Sequence, residues 1–123
     1  MRTYNEPLFT ANTMNTTLHS AATETAKIFG FAIQAVYTGT PTGTLFLEGS
    51  ADPSGDFASP TNATNVPTNW STIANSAQAV TAAGNFLWNV ADVEYNWVRL
   101  SYTDTSGGTS TALLTARINA KGI

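Results

Sequence analysis

The sequence lacks cysteine altogether, and only 11% of its 123 residues are charged. Without cysteine, neither a disulfide framework nor a thiolate metal site is available, so packing alone must hold the fold. The low charge leaves a surface of hydroxyl and amide groups, which suits packed assemblies. This length favours one domain with a single core.

Positive charge and long apolar runs are also scarce. Five Lys and Arg residues stand against eight acids, for a net charge of −3. The cations are scattered along the chain, so no nucleic-acid partner is expected. No apolar run reaches the ~20 residues that span a bilayer, and the N-terminal residues lack the apolar core of a signal peptide. We therefore expect no membrane partner and a protein that does not use the general export route.

The residues needed for common catalytic sites are mostly missing. His19 is the only histidine, and no Gly-x-Ser-x-Gly motif accompanies it, so a Ser-His-Asp triad is not expected. Two close acid pairs, 52/56 and 92/94, are interpreted as turn residues. Two carboxylates can nevertheless hydrolyse a glycosidic bond, which keeps a hydrolase using Asp52 or Asp92 as an alternative.

The same acids suggest one alternative of another kind. Asp52 and Asp56, with Glu48 as a further candidate, offer oxygen ligands of the type that Ca²⁺ prefers, although their spacing matches no EF-hand loop. The favoured interpretation remains a non-enzyme with no cofactor and no metal.

The clearest strand covers residues 95–103, where large side chains alternate with period two. Its predicted core face consists of Val98, Leu100 and Tyr102. Its other face consists of Trp97, Arg99, Ser101 and Thr103. We expect this strand to be the centre of the core.

Further strands follow from the same alternation and from glycine and proline turns. Residues 28–37, with Phe29, Phe31, Ile33 and Ala35 on one face, are expected to form a hairpin with residues 44–50 through the turn at 38–43. Residues 112–121 place Leu114, Ala116, Ile118 and Ala120 inside, and we expect them to pair with the central strand across the glycine loop at 104–109. Shorter strands are predicted near Leu18 and at 69–73, 78–81 and 86–90.

No helix of ordinary length can be placed. About seven or eight short strands in one small domain predict an all-β fold, a single antiparallel β-sandwich of jelly-roll or Greek-key type. Residues 1–27 are polar and contain Pro7, so we predict an extended N-terminal arm there, with no compact element before residue 18, followed by the sandwich domain over 28–123.

Five residues are candidates for binding a partner. Leu8 and Phe9 are expected to anchor the arm on a neighbour or on the body of the fold. Phe46 and Trp97 are expected to form an exposed aromatic pair that marks an interface. Phe57 lies in the long loop at 51–68, whose length favours an interaction role. As an alternative, Trp70, Trp88 and Trp97 would line a sugar platform.

Several segments together resemble a known class of proteins. IQAVYTGTPTGTLFLEGSAD, NWSTI, GNFLWNVADVEYNWVRLSYT and SGGTSTALLTARINAKG are similar to small structural proteins of bacteriophages, of the capsid decoration or cement type. The resemblance covers about residues 28–122. It implies a virion protein on the capsid surface, made in the host cytoplasm, that forms a dimer or trimer and bridges major capsid protein subunits. The alternative function is a carbohydrate-binding or receptor-binding module of a phage tail or spike.

Overall fold

The computed structural model describes residues 2–53 and 67–122, and within them every regular element is a β-strand. This confirms the all-β prediction. The ten strands are β1 Arg2–Thr13, β2 Leu18–His19, β3 Thr23–Glu24, β4 Ile28–Tyr37, β5 Gly43–Ser50, β6 Ser71–Thr72, β7 Gln78–Val80, β8 Gly84–Ala91, β9 Trp97–Asp104 and β10 Leu113–Gly122.

The strands form two antiparallel sheets that face each other. The first sheet has the order β1-β10-β4-β8, and the second places β9 and β5 at its centre, with β2 and β3 beside β9 and β6 and β7 beside β5. If each pair of short strands is counted as one position, every connection except β5 to β6 passes from one sheet to the other. This is the strand order of a jelly roll, as predicted.

The core lies between the sheets and contains the side chains that the alternation assigned to it. Val98, Leu100 and Tyr102 of β9 are buried, with exposed fractions of 1% or less. The predicted inner residues of β10 are buried as well. Period two predicts these faces because successive side chains of a strand point to opposite sides of its sheet.

The two predicted hairpins are wrong. β4 lies in the first sheet and pairs with β10 and β8, whereas β5 lies in the second sheet and pairs with β9. β9 and β10 are likewise in different sheets. The connecting turns therefore form corners between sheets, with left-handed backbone at Gly39, Gly107 and Gly108. Alternation reports which face of a strand is buried but not which strand lies beside it, and glycine serves a corner as well as a hairpin.

The prediction that no compact element lies before residue 18 is also wrong. β1 is an edge strand that pairs with β10 along its length, and Met14 directly after it is fully buried. An edge strand leaves one row of backbone groups unpaired, so it tolerates Pro7 and many polar side chains. Residues 2–24 thus contribute strands to both sheets, and the predicted strand near Leu18 is confirmed as β2.

Phe29 does not share the face of its predicted companions. Ile28 pairs with Gly122 and Gly30 pairs with Lys121, so Phe29 is an extra residue in β4, a β-bulge. A bulge reverses the alternation on one side of it. Ile28 consequently points into the core, and the Phe29 side chain is 55% exposed.

Candidate functional site

Charged and polar side chains from three strands meet on the outer face of the second sheet. β5 and β9 place Glu48 opposite Arg99, and β2 places His19 opposite Ser101. We call these four residues the polar cluster. Glu48, Arg99 and Ser101 alternate with the core side chains of β5 and β9, so they point to the outer face, and His19 joins them because it is paired with Ser101.

The carboxylate of Glu48 is the centre of the polar cluster. Its Oε1 accepts hydrogen bonds from Ser101 Oγ at 2.5 Å and from Arg99 Nε at 2.9 Å. His19 Nδ1 lies 2.7 Å from Ser101 Oγ and 3.5 Å from Glu48 Oε1. Burial raises the pKa of Glu48, but the bonds from Ser101 and Arg99 outweigh it and hold that pKa below its usual value.

The polar cluster contains Ser, His and Glu, yet its geometry is not that of a catalytic triad. In a triad the histidine stands between the hydroxyl and the carboxylate. Here Ser101 stands in the middle, donates its only proton to Glu48, and accepts from His19. Ser101 is also fully buried. The arrangement fixes the side chains in place, and its burial leaves the Ser101 hydroxyl without access to a substrate.

The tryptophans do not line a common sugar platform, which was the alternative interpretation of these residues. Trp88 is 6% exposed and donates Nε1–H to the Ser76 carbonyl, and Trp97 is 2% exposed. Trp70 is half-buried, and the Arg99 guanidinium lies 4.3 Å from its ring centroid. Trp88 and Trp97 are therefore unavailable for stacking, and one face of Trp70 is covered by a cation.

The five predicted partner-binding residues have different environments. Phe9 is buried in the core, so it packs on the body of the fold, while Leu8 and Phe46 are half-buried. The burial of Trp97 means that the expected exposed aromatic pair does not exist. Phe57 lies outside the described residues. Binding of a partner by Leu8 or Phe46 stays a prediction.

The acids named as metal ligands have other partners where the structure describes them. The carboxylate of Asp52 accepts bonds from the backbone N–H groups of Asn69 and Thr68, at 2.9 and 2.8 Å. The bonds from Asn69 and Thr68 hold the pKa of Asp52 below its ordinary value. Asp56 lies outside the described residues. Within residues 2–53 and 67–122, no group of three His, Asp or Glu side chains could hold a metal ion.

The outer face of the first sheet differs from that of the second. β4, β8 and β10 contain no acidic residue, and their only charges are Arg117 and Lys121. All the large apolar side chains that are exposed in the described part of the chain belong to these strands. They are Phe29, Val36, Leu87 and Leu113, with exposed fractions of 55, 45, 53 and 39%.

Sequence reasoning missed these exposed apolar residues as a set, although their places in the alternating strands indicated exposure. Val36 of β4 and Leu113 of β10 occupy positions on the solvent face of their strands. A large apolar side chain on the solvent face marks a contact surface when several such residues gather. Without the pairing of β10, β4 and β8, the sequence does not indicate that these residues lie on one face of the same sheet.

A groove of about 500 Å³ lies at one end of this face. Small residues line part of it, namely Gly30, Ala32 and Ala91. Its other lining residues include Phe29, Asn89, Asp92, Asn119 and Lys121. The bulge in β4 directs the aromatic ring outwards here, as bulges often do beside binding sites.

Comparison with known proteins supports the fold. No protein-family model matches the chain, and no curated protein matches it. Among solved structures, the chain is similar to the PBSX exported protein XepA, with a TM-score of 0.61 and 15% identity over 98% of this chain and 37% of XepA. The chain therefore spans little more than a third of that protein.

A second structure matches over most of both chains. YomS, an SPBc2 prophage-derived protein, has a TM-score of 0.58 and 9% identity, covering 97% of this chain and 92% of YomS. A protein of Bacillus endospore appendages, which form disulfide-linked pili, is a weaker match, with a TM-score of 0.45 and 9% identity over 98% of this chain and 88% of that protein. At these identities the likeness shows a shared fold. In the part of the chain that the structure describes, no helix is long and apolar enough to cross a membrane.

Proposed function

We propose that the protein is a non-enzymatic virion structural protein of the capsid decoration or cement type. In this role it sits on the capsid surface after synthesis in the host cytoplasm, binds the major capsid protein and bridges its subunits. The observation that carries the proposal is the outer face of the first sheet, where Val36, Leu87 and Leu113 are exposed on three adjacent strands that contain no acid.

The chemistry of this face favours packing against another protein. Leu87, Val36 and Leu113 would be removed from water by a flat partner, and the amides around them can form hydrogen bonds at the rim. Arg117 and Lys121 favour a partner surface that is neutral or acidic. The fold adds support, because jelly rolls are common in viral capsids and a similar structure comes from a prophage-derived protein.

A deletion is a poor test of capsid binding by the N-terminal residues. It would remove β1 from the first sheet and leave β10 without that partner, so loss of binding would not separate a lost contact from a destabilised fold. A point substitution on the outer face avoids this difficulty. Val36→Glu places a carboxylate among the exposed apolar residues, and Thr103→Glu places one on the exposed outer side of β9 as a matched control.

The experiment uses particles from the source that have been stripped of this protein. Purified wild-type protein and the Thr103→Glu variant should co-sediment with them and raise their melting temperature, whereas Val36→Glu should do neither. Equal binding by all three proteins would show that the outer face of the first sheet is not the capsid-binding surface. Failure of the wild type to bind any particle would overturn the capsid role.

The groove beside Phe29 favours a second candidate, a carbohydrate-binding module. An exposed aromatic ring with the amides of Asn89 and Asn119 is a combination that suits a sugar ring and its hydroxyls. Surface polysaccharide from the host should bind the wild type and bind Phe29→Ala much less, with Leu113→Ala as the control. Equal binding to wild type and Phe29→Ala would refute this candidate.

A further inference from the structure

The four edges of the sandwich are protected from further pairing to very different degrees. An edge strand exposes unpaired N–H and C=O groups, which pair readily with another strand unless something prevents it. On the second sheet, β2, β3, β6 and β7 are only two or three residues long. Short edges of this kind offer little backbone to a partner.

The β1 edge of the first sheet is protected in several ways. Pro7 has no N–H group to donate, and Glu6 adds a charge. The pairing of β1 with β10 shifts register between Pro7 and Phe9 and again between Phe9 and Asn12, and Ala11 has a left-handed backbone with φ of 50°. A strand with these irregularities cannot align straight against another strand.

The β8 edge has none of these protections. Its eight residues, Gly84–Ala91, contain no proline and no charge, and all of them pair with β4 without a register shift. Within the described residues β4 is its only strand neighbour. Leu87, in the middle of the strand, is 53% exposed. A long, straight, uncharged edge with an exposed Leu is the type that associates.

We infer that β8 pairs with β8 of a second copy of this chain, in antiparallel fashion about a two-fold axis. The two first sheets would then join into one continuous sheet of eight strands. A two-fold axis at Leu87 sets that residue against itself and Asn85 against Asn89 of the second copy, so apolar meets apolar and amide meets amide. An uncharged strand meets its own copy without repulsion.

A closed dimer fits better than an open chain of copies. An open chain needs β8 to pair with a different edge, and the other edges are short or irregular. Among the strands that the structure describes, pairing of β8 with itself uses the long regular edge in both copies and leaves no such edge exposed. This inference concerns association between copies, and it holds whether or not the protein binds a capsid.

Charge at the two-fold position gives a sharp test. In Leu87→Lys, two ammonium groups would face each other, and in Leu87→Glu two carboxylates would do so, whereas a mixture of the two variants sets opposite charges together. Val36→Lys is the control, because Val36 is exposed on the same sheet face but lies on β4, away from the edge.

Sedimentation equilibrium measures the outcome. The wild type and Val36→Lys should have twice the chain mass of 13.0 kDa. Each Leu87 variant alone should dissociate at least about tenfold more readily, and mixing them should restore the dimer. A monomeric wild type, a trimer, or a dimer broken by Val36→Lys and not by Leu87→Lys would overturn the inference.

Amide hydrogen exchange on the wild type provides a measurement that needs no folded variant. Protection of β8 amides should rise with protein concentration, while β1 amides stay unchanged. Concentration-dependent protection at β1, or none at β8, would also overturn the inference.

Discussion

Replacing Leu100 by Ala should destabilise the protein strongly, because the residue lies at the centre of the core. Leu100 is fully buried on β9 and is paired with Leu47 of β5. Its backbone is held on the other side by Ser20, whose Oγ accepts the Leu100 N–H at 2.9 Å and whose N–H bonds the Leu100 carbonyl at 2.9 Å.

The size of the effect follows from these contacts. The substitution removes three buried carbon groups at about 0.8 kcal/mol each, or about 2.4 kcal/mol of transfer free energy. The cavity adds about 24 cal/mol for each Å³ that the neighbours do not refill. Since strands on both sides hold the backbone of β9, little collapse is expected, and the free energy of unfolding should fall by about 2–5 kcal/mol.

Denaturant unfolding at one fixed protein concentration measures this loss. Two adjacent residues of β10 provide the controls, since Leu114 is fully buried and Leu113 is 39% exposed. Leu114→Ala should resemble Leu100→Ala, and Leu113→Ala should cost less than about 1 kcal/mol. A loss below about 1 kcal/mol for Leu100→Ala would refute the assignment of the inner face of β9.

Three further predictions concern other parts of the sandwich. Glu48 has a lowered pKa, so its contribution to stability is present above its unfolded pKa of 4.5 and is lost as the pH falls through the lower folded value. Between pH about 6 and 3, the free energy of unfolding should therefore decline less for Glu48→Gln than for the wild type. Parallel declines in the two proteins would contradict this. Burial raises the pKa of Tyr95 to about 12, so its contribution is complete below pH about 10 and disappears as the pH rises through the folded value. Ultraviolet titration of Tyr95→Phe should show one tyrosinate fewer than the wild type near pH 12, and an unchanged titration would refute the assignment. An alanine Cβ at Gly43 would strike the Thr103 carbonyl oxygen, whereas one at Gly84 has ordinary contact room. Gly43→Ala should lower the free energy of unfolding by about 1–3 kcal/mol, and Gly84→Ala should lower it by less. Equal losses would show that the short distance between residue 43 and the Thr103 carbonyl is unimportant.

The sequence predicts the faces of strands better than it predicts their partners. The inner residues of β9 and β10 were assigned correctly because alternation is a local property of the chain. The neighbours of β4 and β10 were not, since in a jelly roll most strands pair with strands distant in sequence. Nothing in the turn at 38–43 distinguishes a hairpin from a corner, so the error was built into local reasoning.

Two local features of the sequence differ from what they become in the fold, each for a physical reason. β1 resembles an arm because an edge strand needs neither a continuous apolar face nor every backbone donor. Phe29 looks like a core residue because the bulge in β4 depends on pairing with Lys121 and Gly122, which lie more than ninety positions away. Both features become visible only when the partner strand is known.

The polar cluster cannot be predicted from local sequence either, because its residues meet only when the pairing of β2, β5 and β9 is known. Its hydrogen bonds help to fix the register of β5 against β9. A shift of one residue between β5 and β9 would turn Arg99 towards the core and Leu100 towards solvent. The bonds from Arg99 and Ser101 to Glu48 exist only in the native register, so they stabilise it against this slip.

The two outer faces of the sandwich therefore differ in the side chains that they expose to water. On the second sheet, the polar side chains of the cluster bind one another, and the Trp70 ring packs against Arg99. On the first sheet, Val36, Leu87 and Leu113 remain exposed to water. A partner protein would bury more apolar surface on the first sheet and would disrupt fewer existing bonds there. Substitutions that weaken binding to a partner protein without unfolding this protein should accordingly concentrate on β4, β8 and β10.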